Sequence, residues 1–292
     1  GISFPQAAAQ PCMTWSTALR AALGIALLTG MDAVLKGQMQ KHPFALALFM
    51  RFAMGGLCAL AVLLVVRPAR PTRESLIGNL ARIPLVVLTA GSFFYSLSVL
   101  PMAEALTLSF LAPVFVALLG GLLLRERIDR RVLQALAFGL AGMLIMVWPR
   151  LQGHVSGAGL GVAAALFSAV SYAFNLVLLR RIAMREHPAV IVAFQNVGPA
   201  LCLAVPAMSV LVPISLTDLA IYLGAGALGV AGHLTLTSAY ARAAASKLAA
   251  IEYTALIWAS LLGFHFFGEV PLYTTYAGAL LIVAGAVAVS RR

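Results

Sequence analysis

The stretch FYSLSVLPMAEALTLSFLAPVFVALLGGLLLRERI, residues 94–128, lies in register over TSAYARAAASKLAAIEYTALIWASLLGFHFFGEVPL, residues 237–272. The offset of 143 sets Glu126 on Glu269 and Gly142 on Gly285. Upstream, Leu57-Cys58 lies over Leu201-Cys202 and His42-Pro43 over His187-Pro188, with the offset drifting to 144 or 145. The chain is an internal duplication, divided into residues 1–150 and 151–292.

Each copy consists of apolar runs separated by short charged loops. About 20 apolar residues cross a bilayer as a helix. Ten spans follow, at residues 15–36, 43–66, 76–99, 104–124, 131–148, 157–179, 188–212, 218–240, 247–267 and 271–290. The composition agrees: of 292 residues, 62% are hydrophobic and 10% charged, with a mean hydropathy of +0.99. A soluble domain carries about 25% charged residues, and so few charges cannot cover a globule of this size in water. The fold class is an all-α integral membrane protein, ten transmembrane helices in two five-helix repeats. Short loops leave no room for a soluble domain.

Twenty Lys and Arg against nine Asp and Glu give a net charge of +11. The cations sit in clusters between apolar runs, the pattern of loops on the cytoplasmic side rather than of a nucleic-acid surface. With the N-terminus inside, the inner loops hold RPARPTR (67–73) with Arg82, RERIDRR (125–131), Arg180, Arg181 and Arg185, Arg242 and Lys247, and Arg291 and Arg292. These are 15 cations, against Lys36, Lys41 and Arg150 outside. Both termini are expected in the cytoplasm. Gly1 to Thr14 lacks a basic n-region and a clear cleavage site and reads as a short tail. Cys12, Cys58 and Cys202 are an odd count, two of them inside apolar runs, and read as small packing residues.

Five spans per copy is an odd number, so the two copies lie upside down relative to each other. The loop charges agree, since Glu126 stands among arginines while Glu269, in GEVPL, has no cation beside it in sequence. Inverted repeats give many secondary transporters two near-equivalent packings around a midplane site.

A fourth span containing Pro113 and ending in LLGGLLLRERI, and a ninth ending in LLGFHFFGEVPL, make the chain resemble the EamA-type branch of the drug/metabolite transporter superfamily, nearest to bacterial exporters of aromatic and other neutral amino acids. Leu256 replaces the proline in the second copy, so a kink at Pro113 need not be mirrored. The resemblance implies alternating access around a cavity lined by spans 1, 3, 4, 6, 8 and 9. It also implies an inner-membrane monomer whose partners are amino acids and lipid. No cofactor, metal or nucleic acid is expected.

Ionisable side chains inside a membrane need a partner or a cavity. Asp32 and Arg51 lie at comparable depths on adjacent spans, which allows an ion pair, and their repeat counterparts are Asn175 and Gln195 or Asn196. A helix clamp and a gating role both fit this set. Glu252 could couple to protons or pair with Lys247 or Arg242, and His233 could bind substrate or simply be hydrogen-bonded. His265 is a further histidine within a span. Tyr95, Tyr172, Tyr240, Tyr253 and Trp258 are cavity or interface aromatics. GAGALGVAG (224–232) matches G-x-G-x-x-G but lies within a span with no strand before it, so close helix packing explains it better than a dinucleotide. Metal-protease, serine-hydrolase and Walker motifs are absent, which argues against an intramembrane enzyme and against direct use of ATP. With few fixed charges on offer, a zwitterion would be held by hydroxyls, amides and broken helix ends.

Overall fold

A computed structural model describes residues 15–112, 158–183, 186–240 and 254–290, with 115, 119, 134, 137–139, 141–145 and 148–149. In these, long apolar segments become helices because lipid offers backbone N–H and C=O groups no alternative partner. The helices are α1 (Trp15–Met39), α2 (Phe44–Val66), α3 (Arg73–Val99), α4 (Met102–Ser109), α5 (Ala158–Ala183), α6 (Pro188–Met208), α7 (Leu216–Tyr240), α8 (Thr254–Phe267) and α9 (Tyr273–Ser290). Five of them are long and apolar enough to cross a membrane. Side chains such as Leu64, Val65, Leu201 and Val205 stand fully out on the surface, as a lipid-facing belt requires. The expected fifth span, 131–148, is described only in part.

The duplication reappears in the helix starts. Phe44 to Pro188 and Arg73 to Leu216 are steps of 144 and 143 residues. Helix contacts obey the same relation: α1 packs on α7 as its counterpart α5 packs on α3, and α2 packs on its own counterpart α6. The two copies therefore interlock rather than stand side by side. The chain is an all-α membrane protein of two repeats.

Proline and glycine set the local geometry. Pro188 opens α6 at a position where its missing N–H costs nothing, behind His187, whose ring accepts from the Ala189 N–H. α4 ends early: the Phe110 and Leu111 N–H groups turn back onto the Thr107 and Leu108 carbonyls, three residues away, and the Phe115 N–H bonds the Leu111 carbonyl, four residues away. A proline at position 113 has no N–H for the Ser109 carbonyl, which accounts for the interruption.

The end of α8 is a glycine turn. The Gly268 N–H bonds the Phe264 carbonyl and the Glu269 N–H reaches back to Gly263, with Gly268 at φ +64°. This throws the Glu269 side chain back over Gly263, where an added Cβ would stand 2.9 Å from Oε2. Gly268→Ala is expected to cost about 1–2 kcal/mol through the left-handed backbone alone. Thermal unfolding in detergent checks it, and an unchanged midpoint would refute it.

Candidate functional site

The two ends of the bundle are named by their turns: the 40–43 face, where α1 meets α2, and the 67–72 face, where α2 meets α3. At 1.5 Å per residue, Arg51 lies about 10 Å into α2 from the first face, and Asn196 about 12 Å into α6 from the second. Their side chains meet near mid-depth, Arg51 Nη1 donating to Asn196 Oδ1 at 2.9 Å. Asn196 is one of the two positions, 195 and 196, onto which the repeat maps Arg51. Arg51 also touches Met31 Sδ at 3.3 Å and lies over the Phe52 ring. Gly55, one turn on, leaves the room that Asn196 fills.

The expected Asp32–Arg51 ion pair is not made. Asp32 feels Arg51 through space, but among the described residues its buried carboxylate has no hydrogen-bond or ion-pair partner. The Asn196 amide and the Met31 sulfur take Nη1 and Nη2 of Arg51, and its Nε is buried with no hydrogen-bond partner.

Arg82 is a helix residue and not a loop cation. Counted from sequence as an inner-loop cation, it lies in the third turn of α3, because that helix starts at Arg73 on a Thr72 cap that accepts from the Ser75 N–H. Arg82 is 2% exposed. Its Nε donates to Asn175 Oδ1 at 2.9 Å and its Nη1 to Asn79 Oδ1 at 3.4 Å. Asn79 in turn donates to the Ser75 carbonyl and hydroxyl, and Ser75 donates to Glu186 at the 67–72 face. A polar chain thus runs from that face to mid-depth. It was visible in sequence as Ser75, Asn79 and Arg82, spaced i, i+4 and i+7 along one face of an apolar helix.

His233 of α7 lies within the fields of both Arg51 and Arg82, with its Nε2 3.5 Å from Gln195 Nε2. Tyr172, exposed on α5, lies within the electrostatic field of Arg82. Asn79, Arg82, Ile83, Val86, Phe194 and Gln195 line a tight crevice between α3 and α6. The structure thus gathers Asp32, Arg51, Asn175, Gln195, Asn196 and His233 around mid-depth, with Arg82 and Asn79 added. Two guanidiniums replace the nearly charge-free site expected from sequence, and α2 and α6 contribute to it. Tyr95 packs edge-on against Phe44 near the 40–43 face, 6.3 Å between centroids, away from this cluster. Trp258 is exposed on α8, and His265 is exposed beside Phe266. Pro113, Glu252 and Tyr253, and the Tyr240 side chain, lie outside the described residues.

A second constellation closes the 40–43 face. Lys36, counted above as a loop cation, is a buried residue of α1. Its Nζ lies 2.6 Å from Glu269 Oε1 and donates to the Leu100 carbonyl at 2.6 Å, with the Phe267 ring 5.5 Å away. Glu269 Oε2 accepts from the Met102 N–H at 2.7 Å. Leu100 caps the C-terminus of α3 and Met102 begins α4. The cation therefore covers a negative helix end, the anion a positive one, and the two neutralise each other. Nearby, Asp218 holds Lys41 at 3.3 Å and Tyr222 bonds His42 at 3.1 Å, tying α7 to the α1–α2 turn.

Residues 16–148 and 159–291 each match the EamA-like transporter family. The chain belongs to that family. EamA-like relatives include the pseudopaline exporter of Pseudomonas aeruginosa, 31% identical over 280 residues, 94% of this chain and 96% of that one. The riboflavin transporter of Rhizobium johnstonii is 28% identical over 73% of this chain and 70% of its own. A solved crystal structure shares the fold at TM-score 0.64 and 23% identity, over 94% of this chain and 97% of that one. The protein is a membrane transporter of small molecules and not an enzyme.

Proposed function

We propose that this EamA-like protein exports amino acids, aromatic and other neutral ones among them, across a bacterial inner membrane by alternating access. The observation that carries the reading is the mid-depth cluster, built from both copies and rich in donors: Arg51, Arg82, Asn175, Gln195, Asn196 and His233 surround a place where a carboxylate would otherwise be costly to bury. The halves 1–150 and 151–292 would rock about it in a single monomer. Loop cations assign the 67–72 face, and both termini, to the cytoplasm. In that orientation the Lys36–Glu269 contact shuts the outer side, so it must break before substrate leaves.

A panel of labelled amino acids offered to proteoliposomes of the full chain, with and without an imposed pH gradient, tests this. Saturable uptake of several amino acids is the expected result, and uptake without a gradient identifies facilitated transport. No uptake of any amino acid by folded protein overturns the reading. It would favour the second one, export of other small metabolites, which draws on the riboflavin-transporting relative.

A further inference from the structure

Among the described residues, the charged side chains buried between the two faces, apart from the Lys36 and Glu104 region at the 40–43 face, are Asp32, Arg51 and Arg82. Arg51 has Asp32 in its field. Among the described residues Arg82 is hydrogen-bonded only to the neutral amides of Asn79 and Asn175, and its Nη2 is buried with no hydrogen-bond partner. Glu186 stands at the far end of the chain, separated from Arg82 by Ser75 and Asn79. A guanidinium used only to clamp α3 to α5 would be a poor choice, since an uncompensated cation at this depth is costly and an amide would make the same bond to Asn175. An unfilled donor on a full positive charge, lining the crevice with Gln195 and Phe194, is instead what an incoming carboxylate needs, because guanidinium and carboxylate match in geometry as well as in charge.

We infer that Arg82 binds a substrate carboxylate and that the site prefers amino acids with a net negative charge over neutral ones. The inference rests on the amino-acid reading above. A neutral zwitterion brings an ammonium along with its carboxylate and leaves the charge of Arg82 uncancelled, whereas a monoanionic amino acid, carrying one carboxylate more than it has ammonium groups, cancels it.

Glutamate and glutamine form the decisive pair of probes, since they have nearly the same shape and differ by one charge. In proteoliposomes of the full chain, glutamate uptake is expected to be at least about ten-fold more efficient than glutamine uptake, the scale set by one charge-assisted pair. In Arg82→Gln that ratio falls toward one, and in Arg82→Lys much of it returns. Should Arg82→Gln not fold, the wild-type ratio decides, together with thermal stabilisation of wild-type protein by glutamate against glutamine. Saturable glutamine uptake equal to or above that of glutamate overturns the inference and leaves amino-acid transport standing. Saturable uptake of neither, nor of any other amino acid, overturns both.

Discussion

Lys36→Ala is expected to destabilise the protein by about 3–5 kcal/mol, the range for removing one partner of a buried ion pair. The loss is large because three groups are abandoned together: the Glu269 carboxylate, the Leu100 carbonyl and the face of Phe267. Replacing both charges, as Lys36→Met with Glu269→Leu, should recover part of that loss, since no lone charge remains. The diagnostic variant is the exchange Lys36→Glu with Glu269→Lys. It restores attraction between the two side chains, yet sets a carboxylate against the C-terminal carbonyl of α3 and an ammonium against the N-terminal N–H of α4. Each mismatch reverses a helix-end interaction worth about 0.3–1 kcal/mol, up to ~2 when partly buried, and forfeits a hydrogen bond. The exchange should therefore stay well below wild type in thermal unfolding. Wild-type stability in that variant would show that simple pairing, and not the helix ends, fixes the sign of each charge.

Gly226→Val should be as damaging, for a steric reason. A Cβ at Gly226 would stand 2.6 Å from the Gly55 nitrogen and from the Met54 carbonyl carbon, which are backbone atoms of α2 with no rotamer to relieve the clash. Because α2 also holds Arg51 against α6, it cannot retreat from α7 without disturbing mid-depth. A loss of about 3 kcal/mol or more is expected, at the upper end for overfilled cores. Gly224, two residues away in the same run, is exposed, and a Cβ there meets nothing within 4 Å. Gly224→Val should stay within about 0.5 kcal/mol. Size-exclusion profiles after heating in detergent separate the two, and equal behaviour would refute the close approach of α2 and α7.

These two tests also mark what could be read in advance. The GAGALGVAG run, the span pattern and the duplication at 143 are local or periodic signals, and they led to the fold directly. Arg82 was lost to the loop because charge counting treats a cation near a basic cluster as part of it; only the helix start at Arg73 shows that nine residues of α3 already precede it. Lys36 was lost for a different reason, since its partner is 233 residues away and the meeting depends on the Gly268 turn. Asp32 and Arg51 stand out in the sequence as charges inside spans, but adjacency in depth says nothing about which neighbour takes the guanidinium. That choice was made by Asn196, on the other copy.

The Arg51–Asn196 bond has a consequence for how such a chain can arise. Positions 51 and 196 correspond in the two copies to within one residue and face each other, so they lie beside the approximate dyad. In an assembly of two identical five-helix subunits inserted in opposite directions, a residue at this position would lie close to its own copy across the dyad. Two arginines would repel inside lipid, and two asparagines would bring no charge. A lone guanidinium held at the axis by an amide is open only to halves that differ, and gene fusion, by letting the copies diverge, supplies that freedom.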